Sequence, residues 1–358
     1  MTPQLTETSS HAPAGIAGAT ARIRAIDLLK LMALAGVVVC HSAMKTDALC
    51  GWAFLWWVRI CEMAVVIAIP GFFFASGYVL LGRRENCGYR YVARKCLALV
   101  VASFVMGFLI IGWNYFSTDA PWFHAADFAN EILCSMFKNG LLSLLWFVGA
   151  LMMVYLLYPL INRLYLYNKR LFGALLLTCL MLMAFFSSAY LLGHREALWY
   201  EPDIPQHYRL WIWVGYFCLG GMMKACPSIL CVGKWWVILS AAAATLLVNH
   251  IGYGQTGVRV FEYVYGSPAA VLLVTSVAAF LLRADLSGGK FRFLDSVGGL
   301  FFPAFLLCEC ALEIVAGYTA RLHPAIFLPV NIVAALTLGI AGAWVLTHIR
   351  GFSRLLRL

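Results

Sequence analysis

Lys30 and His41 stand eleven residues apart in an otherwise apolar stretch, IRAIDLLKLMALAGVVVCHS, that also holds Asp27. At about 100° per residue, eleven residues come within some 20° of three complete helical turns, so the two side chains share one face of a helix. Along its axis they are separated by about 16 Å. A fixed cation at one end of such a stripe and a titratable imidazole at the other suit an elongated ligand that is anionic at the first end and reactive at the second. Histidine exchanges a proton near neutral pH and is the usual general base. The same spacing also suits a plainer arrangement, in which Lys30 pairs with Asp27 at i, i+3, its ammonium reaches the headgroups, and His41 is an interfacial hydrogen-bonding residue.

Other ionisable pairs sit in apolar surroundings, where each charge costs at least about 2.5 kcal/mol and so needs a partner or water. Glu309 and Glu313 are four residues apart, and Arg59 and Glu62 are three apart. These carboxylates either form buried pairs between helices or, in the case of Glu309, orient His41 as the acidic partner of a base. Ser76 beside Gly77 has no base near it in sequence, and a small pair of this kind more often lets helices approach closely. Asn249 and His250 read as a satisfied interfacial pair. Trp113 and Trp122 are placed to stack on a sugar, or to belong to the aromatic belt at the membrane surface.

The elements that position these residues follow from composition. Of 358 residues, 63% are hydrophobic and 12% charged, half the charged share of a soluble domain, which is about a quarter. An ordinary soluble enzyme is excluded. Apolar runs long enough for a bilayer fall at roughly 26–44, 53–81, 92–112, 142–161, 171–192, 208–224, 234–251, 266–283, 297–318 and 325–349, which predicts ten transmembrane helices. Ten spans place both termini on one side. With that side cytoplasmic, eighteen of the 26 Lys and Arg fall on inner segments and six on outer ones, the other two being Lys30 and Arg59 within spans. This is the positive-inside pattern.

The expectation is an all-α, polytopic, multi-pass bundle in the plasma (inner) membrane with N- and C-termini cytoplasmic. Residues 1–21 form a disordered cytoplasmic tail without the features of a secretory signal, and residues 22–358 a single transmembrane domain. The net charge of +10 is then mostly topology and attraction to anionic membrane lipids, with no nucleic acid among the partners. Twelve cysteines are scattered without metal or redox spacing and read as thiols buried like small hydrophobes; no metal is expected. A monomer and a homo-oligomer fit the composition equally.

The first helix resembles the opening helix of the membrane acyltransferase family 3, in which ten residues separate a basic residue from a histidine. Lys30 and His41 take those positions. Further similar stretches follow in the family's order: IPGFFFASGYVLLGRR, YRYVARK and LLWFVGALMMVYLLYP, then more loosely YFCLGGMM and GGLFFPAFLLCE, so that the resemblance covers roughly 22–320. Two positions depart from the family pattern. Phe305-Leu306-Leu307-Cys308-Glu309 stands where a histidine is common, and Ala98 stands where many members carry another arginine.

The resemblance implies an integral-membrane O-acyltransferase. It would move an acyl group, usually acetyl, from cytoplasmic acetyl-CoA to a hydroxyl of a carbohydrate acceptor, a cell-surface polysaccharide or its lipid-linked glycan precursor. Lys30, with Arg90, Arg94 and Lys95, would hold the phosphates of coenzyme A. His41 would be the base, or the carrier of a covalent acetyl group. A transporter of a glycan or small molecule without acyl chemistry is the alternative, because intramembrane charges mark transport routes too.

Overall fold

A computed structural model describes residues 14–47, 61, 64–83, 88–118, 125–138, 142–194, 204–256, 261–319 and 321–349. Helices follow one another in the order α1 (Ala14–Asp47), α2 (Val65–Leu80), α3 (Tyr89–Thr118), α4 (Ala125–Phe137), α5 (Trp146–Tyr167), α6 (Lys169–Leu191), α7 (Leu210–Ala225), α8 (Trp235–Thr256), α9 (Phe261–Tyr265), α10 (Pro268–Arg283), α11 (Phe293–Val297), α12 (Phe301–Thr319) and α13 (Pro324–His348). There is no strand among the described residues. The protein is an all-α, multi-pass membrane bundle, and a described helix overlaps each of the ten apolar runs; positions 53–60, 62 and 63 of the second run lie outside the described residues.

Seven helices, α1, α3, α5, α6, α8, α12 and α13, are long and apolar enough to cross a bilayer. The other three, α2, α7 and α10, have 16 residues each, about 24 Å of helix against about 30 Å of hydrocarbon. Their burial explains the shortfall. Phe73, Phe74, Trp213, Phe217 and Val274 are fully buried, and a helix wrapped by protein need not match the thickness of the lipid around it. The long helices α6, α8 and α13 are buried over only 33%, 17% and 28% of their apolar windows, against 56% for α1. Those three face outwards with side chains such as Leu177, Leu247 and Val333 exposed, an apolar surface that only a membrane tolerates.

Close packing in the centre depends on glycine. A Cβ at Gly77 would meet the backbone of Phe217, and one at Gly220 would meet the backbones of Phe74 and Tyr78. Gly77 therefore serves the α2/α7 crossing, as a small residue does, while Ser76 beside it lines a cavity. After α2 the chain reverses at Gly82, whose φ of 83° is the left-handed conformation that glycine adopts without penalty. Side chains meet three carbonyls at and beyond this helix end: Tyr158 donates to Leu80, Lys224 to Leu81, and Asn162 to Arg83. That fixes where Arg83 stands.

Two expectations are corrected. Helix α1 starts at Ala14, so residues 14–21 of the expected disordered tail are helical, while residues 1–13 lie outside the described part. The segment AGIAGATA is rich in alanine and merely extends an existing helix, which needs no new nucleus. The segment 113–141, which the apolar runs leave as a connection between two spans, contains α4. This helix buries Ile132 and Met136 and exposes Asp127, and the Met136 carbonyl sits where a Cβ at position 149 would be, so Gly149 lets it dock on α5.

Candidate active site

Along α1 the polar side chains form a ladder of contacts, the first to α11, the second within α1 and the last two to α12, which runs parallel to it. At the first rung Arg24 donates from Nε and Nη2 to the two carboxylate oxygens of Asp295, at 2.9 and 2.6 Å. Its Nη1 donates to the carbonyls of Leu286 and Ser287, both at 3.0 Å. The Asp295 carboxyl is held below the usual carboxylate range, chiefly by the hydrogen bond from Arg24. Higher up, Lys30 Nζ donates to Asp27 at 3.1 Å and lies 5.8 Å from the centre of the Phe301 ring. Next, His41 Nδ1 meets Glu309 Oε2 at 2.8 Å, and at the last rung Lys45 Nζ donates to Glu313 Oε1 at 2.7 Å.

The two upper rungs arise because His41 and Lys45 are four apart on one helix, as are Glu309 and Glu313 on the other. Side chains at i and i+4 share a face, so two parallel helices in this register pair both at once. An ionised Glu309 can only accept, which places the proton of a neutral imidazole on Nδ1 and leaves Nε2 with its lone pair. That is the tautomer a general base requires.

His41 and Glu309 line a cavity of about 490 Å³, with Lys45, Glu313 and Val37 beside them. Its other walls bring Ser135 from α4, Lys138 just after that helix, Trp146 from α5, Gln206 and Tyr265. An aromatic face, donors and carboxylates around one hollow suit a polyhydroxylated molecule, which presents apolar C–H surface and many hydroxyls.

A second cavity of about 250 Å³ lies around the other end of the stripe, with Lys30, Arg83 and Lys95 in its wall beside Ser76, Tyr91 and Tyr155. Both cavities are lined by Phe147 and Phe305. These rings are 5.1 Å apart between centres, and Phe72 stands 5.5 and 5.8 Å from them. An aromatic cluster thus partitions the cation end from the imidazole end.

Of the residues singled out by sequence, Lys30, Lys95, His41 and Glu309 fall on these two cavities. Lys30 pairs with Asp27 as one of its expected arrangements has it, and it also lines the second cavity. Arg90 and Arg94 are exposed on α3 and do not join the wall, since they sit on the far side of the helix turn that turns Tyr91 and Lys95 inwards. Trp113 belongs to α3, but its side chain lies outside the described residues, as do Trp122, Arg59 and Glu62. Asn249 and His250 sit on α8, which lines neither cavity. Among the described residues no cysteine is in a disulfide.

Arg83, Lys45, Trp146 and the aromatic cluster were not apparent as site residues. Matching opposite charges at i, i+4 in two spans signalled the Lys45 rung. Nothing in the spacing distinguishes Trp146 or Phe305 from other aromatic residues of a membrane protein.

A histidine held by a carboxylate lines one cavity, three cations line the next, and an aromatic cluster stands between them. The chain belongs to the acyltransferase 3 family, whose profile, described as an acyltransferase domain, matches residues 23–348. No curated protein and no solved structure matches it.

Proposed function

We propose that the protein is an O-acetyltransferase of the plasma (inner) membrane, with both termini cytoplasmic, that moves acetyl from cytoplasmic acetyl-CoA to a hydroxyl of a carbohydrate acceptor. The observation that carries this reading is the His41–Glu309 contact of 2.8 Å, facing one cavity while three cations face the next. Arg83 and Lys95, with Lys30, bind the phosphates of the nucleotide end by charge-assisted hydrogen bonds. The narrow pantetheine arm passes between Phe72, Phe147 and Phe305 and brings the thioester to His41.

Nε2 of His41 then removes the proton of the acceptor hydroxyl as its oxygen attacks the thioester carbonyl carbon. The carbon–sulfur bond breaks, and the imidazolium returns the proton to the departing thiolate, so the products are an acetyl ester and free coenzyme A. Glu309 holds the ring and stabilises the imidazolium between the two transfers, as the acidic member of a triad does. Lys45 and Lys138, in the same cavity, supply positive charge where the carbonyl oxygen becomes negative. The test follows thioester loss from labelled acetyl-CoA with purified protein and its His41→Ala variant. Full turnover in His41→Ala would overturn the proposal, and absence of acetyl-CoA binding by the unaltered protein would favour transport instead.

A further inference from the structure

A third hollow, of about 550 Å³, opens between α3, α12 and α13. On α12 its wall is the stripe Leu307, Cys310, Ala311 and Ile314, the i, i+3, i+4, i+7 pattern of one helix face. Leu109 and Leu338 close it from the neighbouring helices and are 43% and 53% exposed. One charged residue lines this groove among the described residues, Glu313, and Glu313 also lines the cavity of His41. The groove therefore meets the reaction cavity side by side on the same turns of α12, at the level of the Glu309 and Glu313 rungs.

We infer that the groove holds the hydrocarbon chain of a membrane-borne acceptor, a glycan linked to its lipid through phosphate, whose headgroup reaches His41 past Glu313. The inference rests on the transferase reading and selects the acceptor class within it. An apolar trough at bilayer depth gives a methylene chain burial on three helices, while a polymer acceptor arriving from water has no use for it. Charge points the same way. Lys45 and Lys138 line the cavity that the trough adjoins, and the Lys45–Glu313 pair is half-exposed, with side chains 28% and 42% accessible. A phosphate arriving there exchanges a carboxylate partner for itself on Lys45, which makes this rung the threshold between tail and headgroup.

The test uses the full chain in nanodiscs and a dodecyl phosphate carrying a terminal diazirine, with crosslinks mapped by peptide mass spectrometry. Labels are expected on 108–112 and 307–314. Leu338→Trp, or Leu109→Trp as a second exposed position, should fill the trough; displacing about two methylenes corresponds to roughly a tenfold loss of labelling. Leu177→Trp, on the outward face of α6, should leave it unchanged. Equal labelling of the α6 and α8 faces, or no response to both groove variants, would overturn the inference. So would equal labelling by the uncharged dodecanol probe, which marks bulk lipid, or a dimer that Leu338→Trp dissociates, which makes a second copy the occupant. Thioester turnover is read separately on the same samples, so groove labelling without acetyl transfer would count against the transferase reading and leave the lipid site standing.

Discussion

Glu309→Gln isolates the charge of the carboxylate from its shape. Glu309 is 13% exposed in its side chain and meets His41 Nδ1 at 2.8 Å, and glutamine can still present an oxygen there. An ionised acceptor contributes about 1.5 to 3 kcal/mol and a neutral one about 0.5 to 1.5. The loss of about 1 to 2 kcal/mol falls on the imidazolium formed during transfer, which lowers kcat roughly five- to thirtyfold. Glu309→Ala, which also releases the ring, approaches the whole worth of a positioned base, about 10² to 10⁴. The assay is steady-state release of coenzyme A thiol, with KM for acetyl-CoA measured alongside. That KM should hardly move, because the nucleotide end is bound in the other cavity. In a His41→Ala background Glu309→Gln should cost nothing further, since groups acting as one unit are non-additive. Wild-type kcat in Glu309→Gln, or losses that simply multiply in the double variant, would show that the contact holds helices together without orienting a base.

The inner cations make a graded prediction. Arg83→Ala and Lys95→Ala should each raise KM for acetyl-CoA roughly ten- to a hundredfold through loss of a charge-assisted hydrogen bond. Lys30→Ala should do less, because Asp27 already holds that ammonium, and Arg90→Ala should do least; a larger effect at Arg90 than at Arg83 would contradict the cavity assignment. Phe305→Leu thins the partition between the cavities, so thiol release without acceptor should rise as water reaches the thioester; an unchanged background rate would mean that Phe305 is not the barrier. The Arg24–Asp295 rung predicts a pH dependence. The folded carboxyl of Asp295 titrates below its unfolded value of about 3.9, so its stabilisation is complete above that pH and is lost as pH falls through the lower, folded value. Thermal unfolding in detergent should show a step in that acid range, and Asp295→Asn should remove it.

The helical architecture was legible because its cause is local. Twenty apolar residues must form a helix in lipid whatever their neighbours do, and each of the ten apolar runs holds a helix among its described residues. The 16-residue length of α2, α7 and α10 escaped the reading of these runs, because their surroundings are protein. The helical α4 escaped it differently: its apolar face is only two turns long, too little to stand out in a segment otherwise rich in loop residues.

The site divides along the same line. Lys30 and His41 share a face through the period of one helix, so eleven residues of spacing sufficed to join them, and the family-like stretches told which chemistry to expect. Glu309 was named as a partner for His41, but equally as a packing residue, because nothing in a sequence sets the register between helices 268 residues apart. Tertiary packing decided that register, and with it the His41–Glu309 contact, the Lys45–Glu313 rung and the aromatic cluster between the cavities. It also chose Arg83 over Arg90 and Arg94, since the positive-inside rule counts charges on one side of a membrane and is blind to which of them a helix turns inwards. What the sequence determined by itself was the solvent, the secondary structure and the stripe along α1; the meeting of α1 with α12 turned that stripe into a site.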